Sequence, residues 1–428
     1  MKRHILGAGL LCLAALPAAG QGLPPTPVYH TDEGQPIDVR APEKRGDMPL
    51  YPQQTRAPYH KTAPFTVTTL ADSLHAPWGM GFLPDGNIIV TERLPGAFRI
   101  VSKDGKLSAP LAGLTGLTDT PETGLLDVAV DPKFTSNHRI FFTFFSYDDK
   151  TVGNTSIASA RLDGTSLGDV KVILRTSPFL PNDQTLSAGT KSGGRIAIGR
   201  DGYLYVTIGD RDNAGTKPWG VAQILDTHLG KVIRITMDGK PAPGNPFIGK
   251  PGALPEIWAI GLRSPEGLAF LPGTDKLYEV EHGPRGGDEF NNIEKGKNYG
   301  WPIISHGIDY GGAVIGDGSS AKPGMEQPVY YWSPSTAPSG LAFYQGSLFP
   351  DWKNSVFVGM LNGRLLDRFT FVNGKAVNEE PLLTDMKARF RDVRVGPDGA
   401  VYVLTDSGGT AISDDTPPSS KLLKLTPR

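Results

Sequence analysis

Past Phe65 a single design recurs six times along the chain. PWGMGFLPDGNIIVTER (77–93) joins an apolar run to an alternating strand through a Pro-Asp-Gly turn. The plan returns in GLLDVAVDPKFTSNHRIFFTFF (124–145), GGRIAIGRDGYLYVTIGD (193–210) and SPEGLAFLPGTDKLYEVEHG (264–283). It appears again in PSGLAFYQGSLFPDWKNSVFVGML (338–361) and FRDVRVGPDGAVYVLTDSGG (390–409). Each copy reads as two strands about a turn signal, with apolar residues at period two. Weaker hairpins after several copies, such as GAFRIVSKDGKL and LGKVIRITMDGK, supply outer strands. Radial repetition of such units predicts an all-β fold, a six-bladed β-propeller over residues 63–428. A pair of β-sandwiches is the competing arrangement, but sandwich strands would not restart so regularly after the same small-residue signature. Ring closure requires the two ends to share a blade, a role that suits FTVTTL (65–70) and KLLKLT (421–426).

The segment ahead of the repeats has a different character. Lys2 and Arg3, an apolar stretch from Ile5 to Leu16 and the small residues Ala18-Ala19-Gly20 read as a secretory signal over 1–20, too short to remain as a membrane span. Cleavage there removes Cys12, the single cysteine, and the expected location is the periplasm or outside the cell. Residues 21–62 are rich in proline and polar groups and cannot bury enough apolar surface to fold alone. They are expected to form an extended arm, flexible or wrapped over the domain. Gly 53 and Pro 38 fit a chain of many turns. Lys+Arg 43 against Asp+Glu 44 argues against nucleic acid as a partner and against an electrostatic membrane anchor.

In a propeller, residues just before each innermost strand converge at one mouth of the central channel. Those positions here hold Glu122, Lys191, Arg195, Arg263, Glu266, Arg389 and Arg391. Like charges in register repel unless an anion or carboxylates offset them, so a polyanionic ligand at the mouth is expected; a water-filled polar channel is the plainer alternative. EVEHGPRGGDEF (279–290) follows the fourth inner strand. The carbonyls of its Gly-Pro turn and the carboxylates beyond are hard oxygen donors of the kind calcium takes, although a bare surface turn would also suit such residues.

The runs AIGLRSPEGLAF, EHGPRGGDEFNNIEKGKNYGWP and ARFRDVRVGPDGAVYVLTD, with the terminal LLKLTP, resemble the soluble periplasmic aldose sugar dehydrogenases of the glucose/sorbosone dehydrogenase family. The likeness runs from about Pro64 to Arg428. It implies a cofactor, pyrroloquinoline quinone, held over the channel by Ca²⁺ and arginines. By that resemblance the carbonyls of Gly283 and Pro284 bind the calcium, and Arg263 points at the reactive quinone carbonyl beside Ser264. Arg389 and Arg391 would pair with cofactor carboxylates, for which a planar guanidinium is suited. Asp288, Glu289, Tyr299 and Asp309 match positions that support or line calcium sites in some members.

Three positions depart from the family pattern. Lys191 stands where the family has its catalytic His, Glu122 where it has a Gln, and Asn362 where it has a cofactor-binding Lys. Either Lys191 or Glu122 would then take the substrate proton, with Arg263 polarising the quinone. The implied substrate is a small sugar, and a separate electron acceptor, which the residues do not identify, must reoxidise the quinone. Two other functions remain open, a calcium-dependent lactonase or other hydrolase and a non-catalytic binding propeller. Substrate contacts are expected from loops at Asp210 to Trp219 and Gly307 to Lys322, with Trp219, Tyr310 and Trp332 as rings able to stack on a sugar.

Overall fold

The computed structural model describes residues 27–93, 96–114, 124–148, 152–178, 180–181, 191–211, 220–407 and 419–428. The proposed signal segment therefore lies outside the described residues. Six sheets are arranged around a channel. Blade 1 pairs Pro77–Phe82, Ile88–Glu92 and Ala97–Val101; blade 2 pairs Leu125–Val130, Arg139–Asp148, Val152–Asp163 and Ser166–Arg175. Blade 3 is Gly193–Ile198, Leu204–Ile208, Lys231–Ile235 and Ile257–Ile260, and blade 4 is Pro265–Phe270, Leu277–Glu281, Asp288–Ile293 and Tyr330–Trp332. Blade 5 contains Pro338–Tyr344, Ser355–Met360, Leu366–Val372 and Lys375–Leu382. Blade 6 runs outward from Arg389–Val395 through Val401–Asp406 and Ser420–Pro427 to Phe65–Leu74. The innermost strands pack on one another in cyclic order, first against last. The six repeats are the two inner strands of the six blades. Closure is as expected, with Phe65 opposite Pro427 and Leu74 opposite Ser420.

The second strand of each blade has neighbouring strands on either side and adjacent blades on both faces. IIVTE, LYVTI, LYEVE, SVFVGM and VYVLTD are accordingly buried at every residue. The outermost strand Phe65–Leu74 is mostly exposed. Between blades 4 and 5 the filling is aromatic, with Tyr278, Phe290, Phe343, Tyr330 and Phe369 in one cluster.

All six inner strand pairs slip register near their first residues: Pro77/Met80, Leu125/Val128, Gly193/Ile196, Pro265/Gly267, Pro338/Leu341 and Phe390/Asp392. A bulge leaves amides without ladder partners and re-aims side chains. In three consecutive blades a threonine on the second strand meets this need. Thr207 Oγ1 accepts from Gly194 N and Arg195 N and donates to Pro265 O of the next blade at 3.0 Å. Thr143 accepts from Asp127 N and donates to Gly194 O, and Thr91 accepts from Gly79 N and donates to Leu126 O.

The bulges also set a charged hub inside the channel. Arg195, only 1% exposed, donates to Glu266 O at 2.6 Å and to Arg391 O at 2.9 Å. It also faces Asp127 at 3.4 Å and Asp392 at 3.2 Å, with its guanidinium over the Trp78 ring at 4.0 Å. Arg394 closes the array on both aspartates. Arg195 was expected among the cations free to meet an anion. Instead two carboxylates and two carbonyls from other blades consume it, because a buried guanidinium must find partners for its fork of donors.

Residues 27–62 lie in turns and extended backbone against blades 4 and 5. Ile37, Ala57 and Tyr59 join the aromatic cluster, and Tyr59 bridges Glu379.

Removing the hub cation should cost more than removing one threonine link. Arg195→Met leaves two buried aspartates with Arg394 as their one remaining cation and is expected to lower unfolding free energy by about 3–5 kcal/mol. Thr207→Val, which orphans two amides, should lower it by about 1–3 kcal/mol. Urea unfolding of the two variants beside the wild type measures both, and equal costs would contradict the hub.

Candidate active site

The turn quoted from the sequence, GPRGGDE, links the second and third strands of blade 4. Gly286 and Gly287 carry φ of +77° and +70°, in the left-handed region that glycine tolerates best. A Cβ on Gly283 would lie 2.3 Å from Gly287 O, so the chain folds back on itself too closely for any side chain there. Asp288 fixes the fold. Its carboxylate accepts from Gly283 N at 2.8 Å, Ser335 Oγ, Thr336 N and Ala337 N. With four donors it anchors the turn, a supporting place behind the Gly-Pro corner. Among the described residues no backbone amide donates a hydrogen bond to the carbonyl of Gly283 or Pro284, both buried residues.

A cavity of about 10 Å³ lies under this corner, lined by Arg263, Glu281, His282, Gly283, Pro284, Glu289 and Tyr299 among others. Glu281 and Glu289 sit directly opposite one another, with Glu279 two residues along the same strand. Burial raises the pKa of all three, and that of Glu279 is pushed further by Glu281. Glu279 Oε1 and Asn291 Oδ1 have no hydrogen-bond partner among the described residues. Hard oxygen donors left open in one spot suit a divalent cation. Among the described residues no three His, Cys, Asp or Glu side chains form a metal cage. The Tyr299 phenol is not available to a cation, because it donates to Asn292 O and accepts from Glu294 N. Asp309, outside the cavity lining, caps its own turn by accepting from Gly311 N at 3.0 Å. Tyr299 thus lines the cavity with its hydroxyl committed to the blade, and Asp309 stands apart from that lining.

Arg263, 4% exposed, stands at the edge of the same cavity. Its backbone amide is held by Glu281 Oε2, its Nη1 donates to His282 O at 2.8 Å, and its Nη2 reaches Tyr310 OH at 3.5 Å. Its Nε has no partner among the described residues. Ser264 Oγ reaches Glu266 Oε1 at 3.3 Å, Glu266 faces Arg391 at 3.5 Å, and Arg391 binds Asp406 at 2.9 Å. Arg389 lies 3.9 Å from Asp406 and donates to Leu361 O, the neighbour of Asn362, while its Nε also lacks a partner among the described residues. Burial pushes the Arg389 pKa down to about 10. The polar path thus joins blades 4, 5 and 6 at one mouth. Arg391 is already answered by two carboxylates, whereas Arg263 and Arg389 each keep an open donor.

Lys191, with φ of 50°, precedes the inner strand of blade 3 and lies 3.9 Å from Asp210. Asp210 accepts from Trp301 Nε1 at 2.8 Å, and its amide donates to Arg263 O. Lys191 and Arg263 therefore share one neighbour, which the sequence reading had treated only as part of a loop. Glu122 and Trp219 lie outside the described residues. Trp332 is a packing residue, donating to Asp367 at 3.0 Å, whereas Tyr310 is 69% exposed at the mouth. Sequence reasoning also missed His282. Burial and the guanidiniums of Arg263, Arg391 and Arg389 push its pKa down to about 3, so it remains neutral beside the cations. Its place in EHGPRGG, next to the Gly-Pro corner, was the available signal.

The channel mouth is thus that of a ligand-binding β-propeller, cationic on one side and offering hard oxygens on the other. Comparison with known proteins specifies the class. A family model, Glucose / Sorbosone dehydrogenase, matches residues 74–413, and the chain belongs to that family. The Escherichia coli aldose sugar dehydrogenase YliI is 39% identical over 372 residues, 86% of this chain and 94% of that protein. The crystal structure of the soluble E. coli aldose sugar dehydrogenase in its apo form matches with a TM-score of 0.76 at 37% identity, covering 85% of this chain and all (100%) of that one. The PQQ-bound form of the aldose sugar dehydrogenase from Streptomyces coelicolor matches at 29% identity with a TM-score of 0.68, covering 85% and 99%.

An acid whose folded pKa is raised holds its proton more firmly in the native state. The stability it contributes is complete below the unfolded value, about 4.3 for Glu, and is lost as pH rises toward the folded value. Metal-free protein should therefore lose melting temperature as pH rises from about 4.3 through neutrality, and Glu279→Gln should lose less. Parallel melting curves for the two proteins across that range would contradict the reading.

Proposed function

We propose that this protein is a quinoprotein sugar dehydrogenase that oxidises an aldose at its anomeric C–OH, with Ca²⁺-bound pyrroloquinoline quinone as cofactor. The reading is supported by the family membership, by Arg263 lining one cavity with Gly283 and Pro284, and by the polar path from Ser264 through Glu266, Arg391 and Asp406 to Arg389. When bound, pyrroloquinoline quinone would supply the two-electron acceptor for the hydride removed from the sugar carbon. Arg263 is placed to stabilise negative charge developing on a carbonyl oxygen, which a preorganised donor does without reorganisation. Arg389 would meet a cofactor carboxylate, with Asn362 close by and Ser264 beside Arg263, while Arg391 supports the pair from behind through Asp406 and Glu266. Gly283 and Pro284, with Glu289 nearby, would hold the cation, whose coordination a carboxylated ligand would complete. Lys191 takes the hydroxyl proton, or Glu122 does so with Lys191 as its electrostatic partner.

The leader-like N-terminus supports export to the periplasm. Among the described residues no helix is long and apolar enough to cross a membrane. Lys191 at the position of the family's His favours a second reading, a propeller that binds the same ligands without turning them over.

Reconstitution separates the two. Protein loaded with pyrroloquinoline quinone and Ca²⁺ should show the cofactor's absorbance shift to the reduced form on adding aldoses; binding without reduction would favour the inert scaffold. Lys191→Ala should lose dye-linked sugar oxidation while retaining the cofactor, and unchanged turnover would remove Lys191 from the mechanism.

A further inference from the structure

The propeller closes without residues 27–62, and the family match begins only at residue 74. The matched E. coli structure is covered completely (100%) by 85% of this chain. The arm is thus an addition, and its contacts are unlike those of a segment that merely covers apolar surface. It buries charge. The side chains of Lys44 and Asp47 are 11% and 4% exposed and lie 3.5 Å apart. Lys44 Nζ donates to Ser305 O at 2.6 Å and to Ser320 Oγ, and Ser320 Oγ donates to Asp47. Asp47 Oδ2 also binds His306 Nδ1 at 2.8 Å, and the His306 ring stacks on Tyr331 at 3.9 Å. Ion pairs taken out of water add little net stability, but they fix one register because any other leaves charge unpaired.

The gripped segment leads straight to the metal corner. Arg285 N donates to Ile308 O at 2.9 Å and Ile308 N to Arg285 O at 3.0 Å, zipping the loop at 305–308 to the Gly-Pro turn. A Cβ on Gly307 would fall 2.2 Å from Gly286 O, and one on Gly286 would fall 2.7 Å from Glu43 Oε2 of the arm. Ser305 and Ile304 line the cavity under Gly283 and Pro284. At its other end the arm reaches the far side of the mouth, where Tyr29 OH donates to Gly363 O beside Asn362.

We infer that the arm is a strap whose Lys44–Asp47–Ser320 clasp acts as a positioning device, holding the 305–308 loop and through it the Gly283–Pro284 corner in cation-binding geometry. The inference rests on the proposed function for the identity of the cation, but not for the mechanical role of the clasp. It explains why costly charges lie under a turn whose own residues already satisfy its fold.

Hydrogen exchange on the metal-free full chain tests the clasp by itself. In Lys44→Met/Asp47→Asn, peptides covering 285–308 should exchange at least about ten-fold faster, while the inner strands of blades 1 to 3 keep their protection. Ser320→Ala is the milder variant should the double change fail to fold, and Ser320→Thr, which keeps the hydroxyl, should restore wild-type exchange. Calcium titrated into each protein gives the second readout. Its midpoint should rise about ten-fold in the loosened variants with the urea midpoint unchanged, a split that a merely structural role would not produce. Unchanged exchange at 285–308, or faster exchange with an unmoved calcium midpoint, overturns the strap. Faster exchange in a protein whose wild type takes up no calcium supports the clasp and removes the cation-binding reading instead.

Discussion

Where the innermost strand of each blade meets its neighbour, the ladder slips near its first pair. That slip presents Asp127, Arg195, Glu266 and Arg391 to one another across the channel. A regular two-residue alternation would send those side chains into the packed space between blades, where charge is not tolerated. Bulging supplies the polar hub, and the hub must then be fully paired. Arg195 meets that requirement by binding blades 2, 4 and 6 at once. The charges of this layer are matched, Arg195 and Arg394 against Asp127 and Asp392.

Two kinds of residue follow from this arrangement, those that complete the scaffold and those left with something to bind. Asp288 and Arg195 hydrogen-bond several groups of the protein itself, and Arg391 faces two of its carboxylates. Arg263 and Arg389 each retain an unpartnered buried donor among the described residues, and Glu279 an unpartnered acceptor. Buried polar groups are normally paired, so each such exception calls for a partner, whether water, ion or ligand. Arg263 lines the cavity under the Gly-Pro turn together with Glu281 and Glu289, so cationic and acidic groups meet at that corner.

The fold was readable because its signal is local and repeated six times: a small-residue start, a turn and a period-two strand. The closing pair was readable for the same reason. Within the site, Arg263 shares a cavity with the Gly-Pro turn, and Glu266, Arg389 and Arg391 connect to it through Ser264 and Asp406. Sequence could not separate Arg195 from Arg263, because both precede or begin an inner strand. What distinguishes them is the bulge, which drops Arg195 one layer into the channel. It likewise offered Asp288, Tyr299 and Asp309 as equal candidates, whereas their hydrogen bonds go to a turn, a strand and a loop of the protein itself. The threonines Thr91, Thr143 and Thr207 recur at the same place in three copies, yet a hydroxyl inside a strand gives no hint that it reaches the next blade. The arm's grip on Ser305, His306 and Ser320 joins residues more than 250 positions apart, and no local pattern encodes that.

The central claim is geometric: one mouth of the ring receives a triacid quinone and a divalent cation together. A crystal structure of the protein soaked with pyrroloquinoline quinone and calcium tests it most directly. The account predicts a calcium ion within coordinating distance of the Gly283 and Pro284 carbonyls, and a quinone whose oxygens reach Arg263 on one side and Arg389 on the other. A quinone bound elsewhere, or a calcium ion that leaves those two carbonyls untouched, would contradict it.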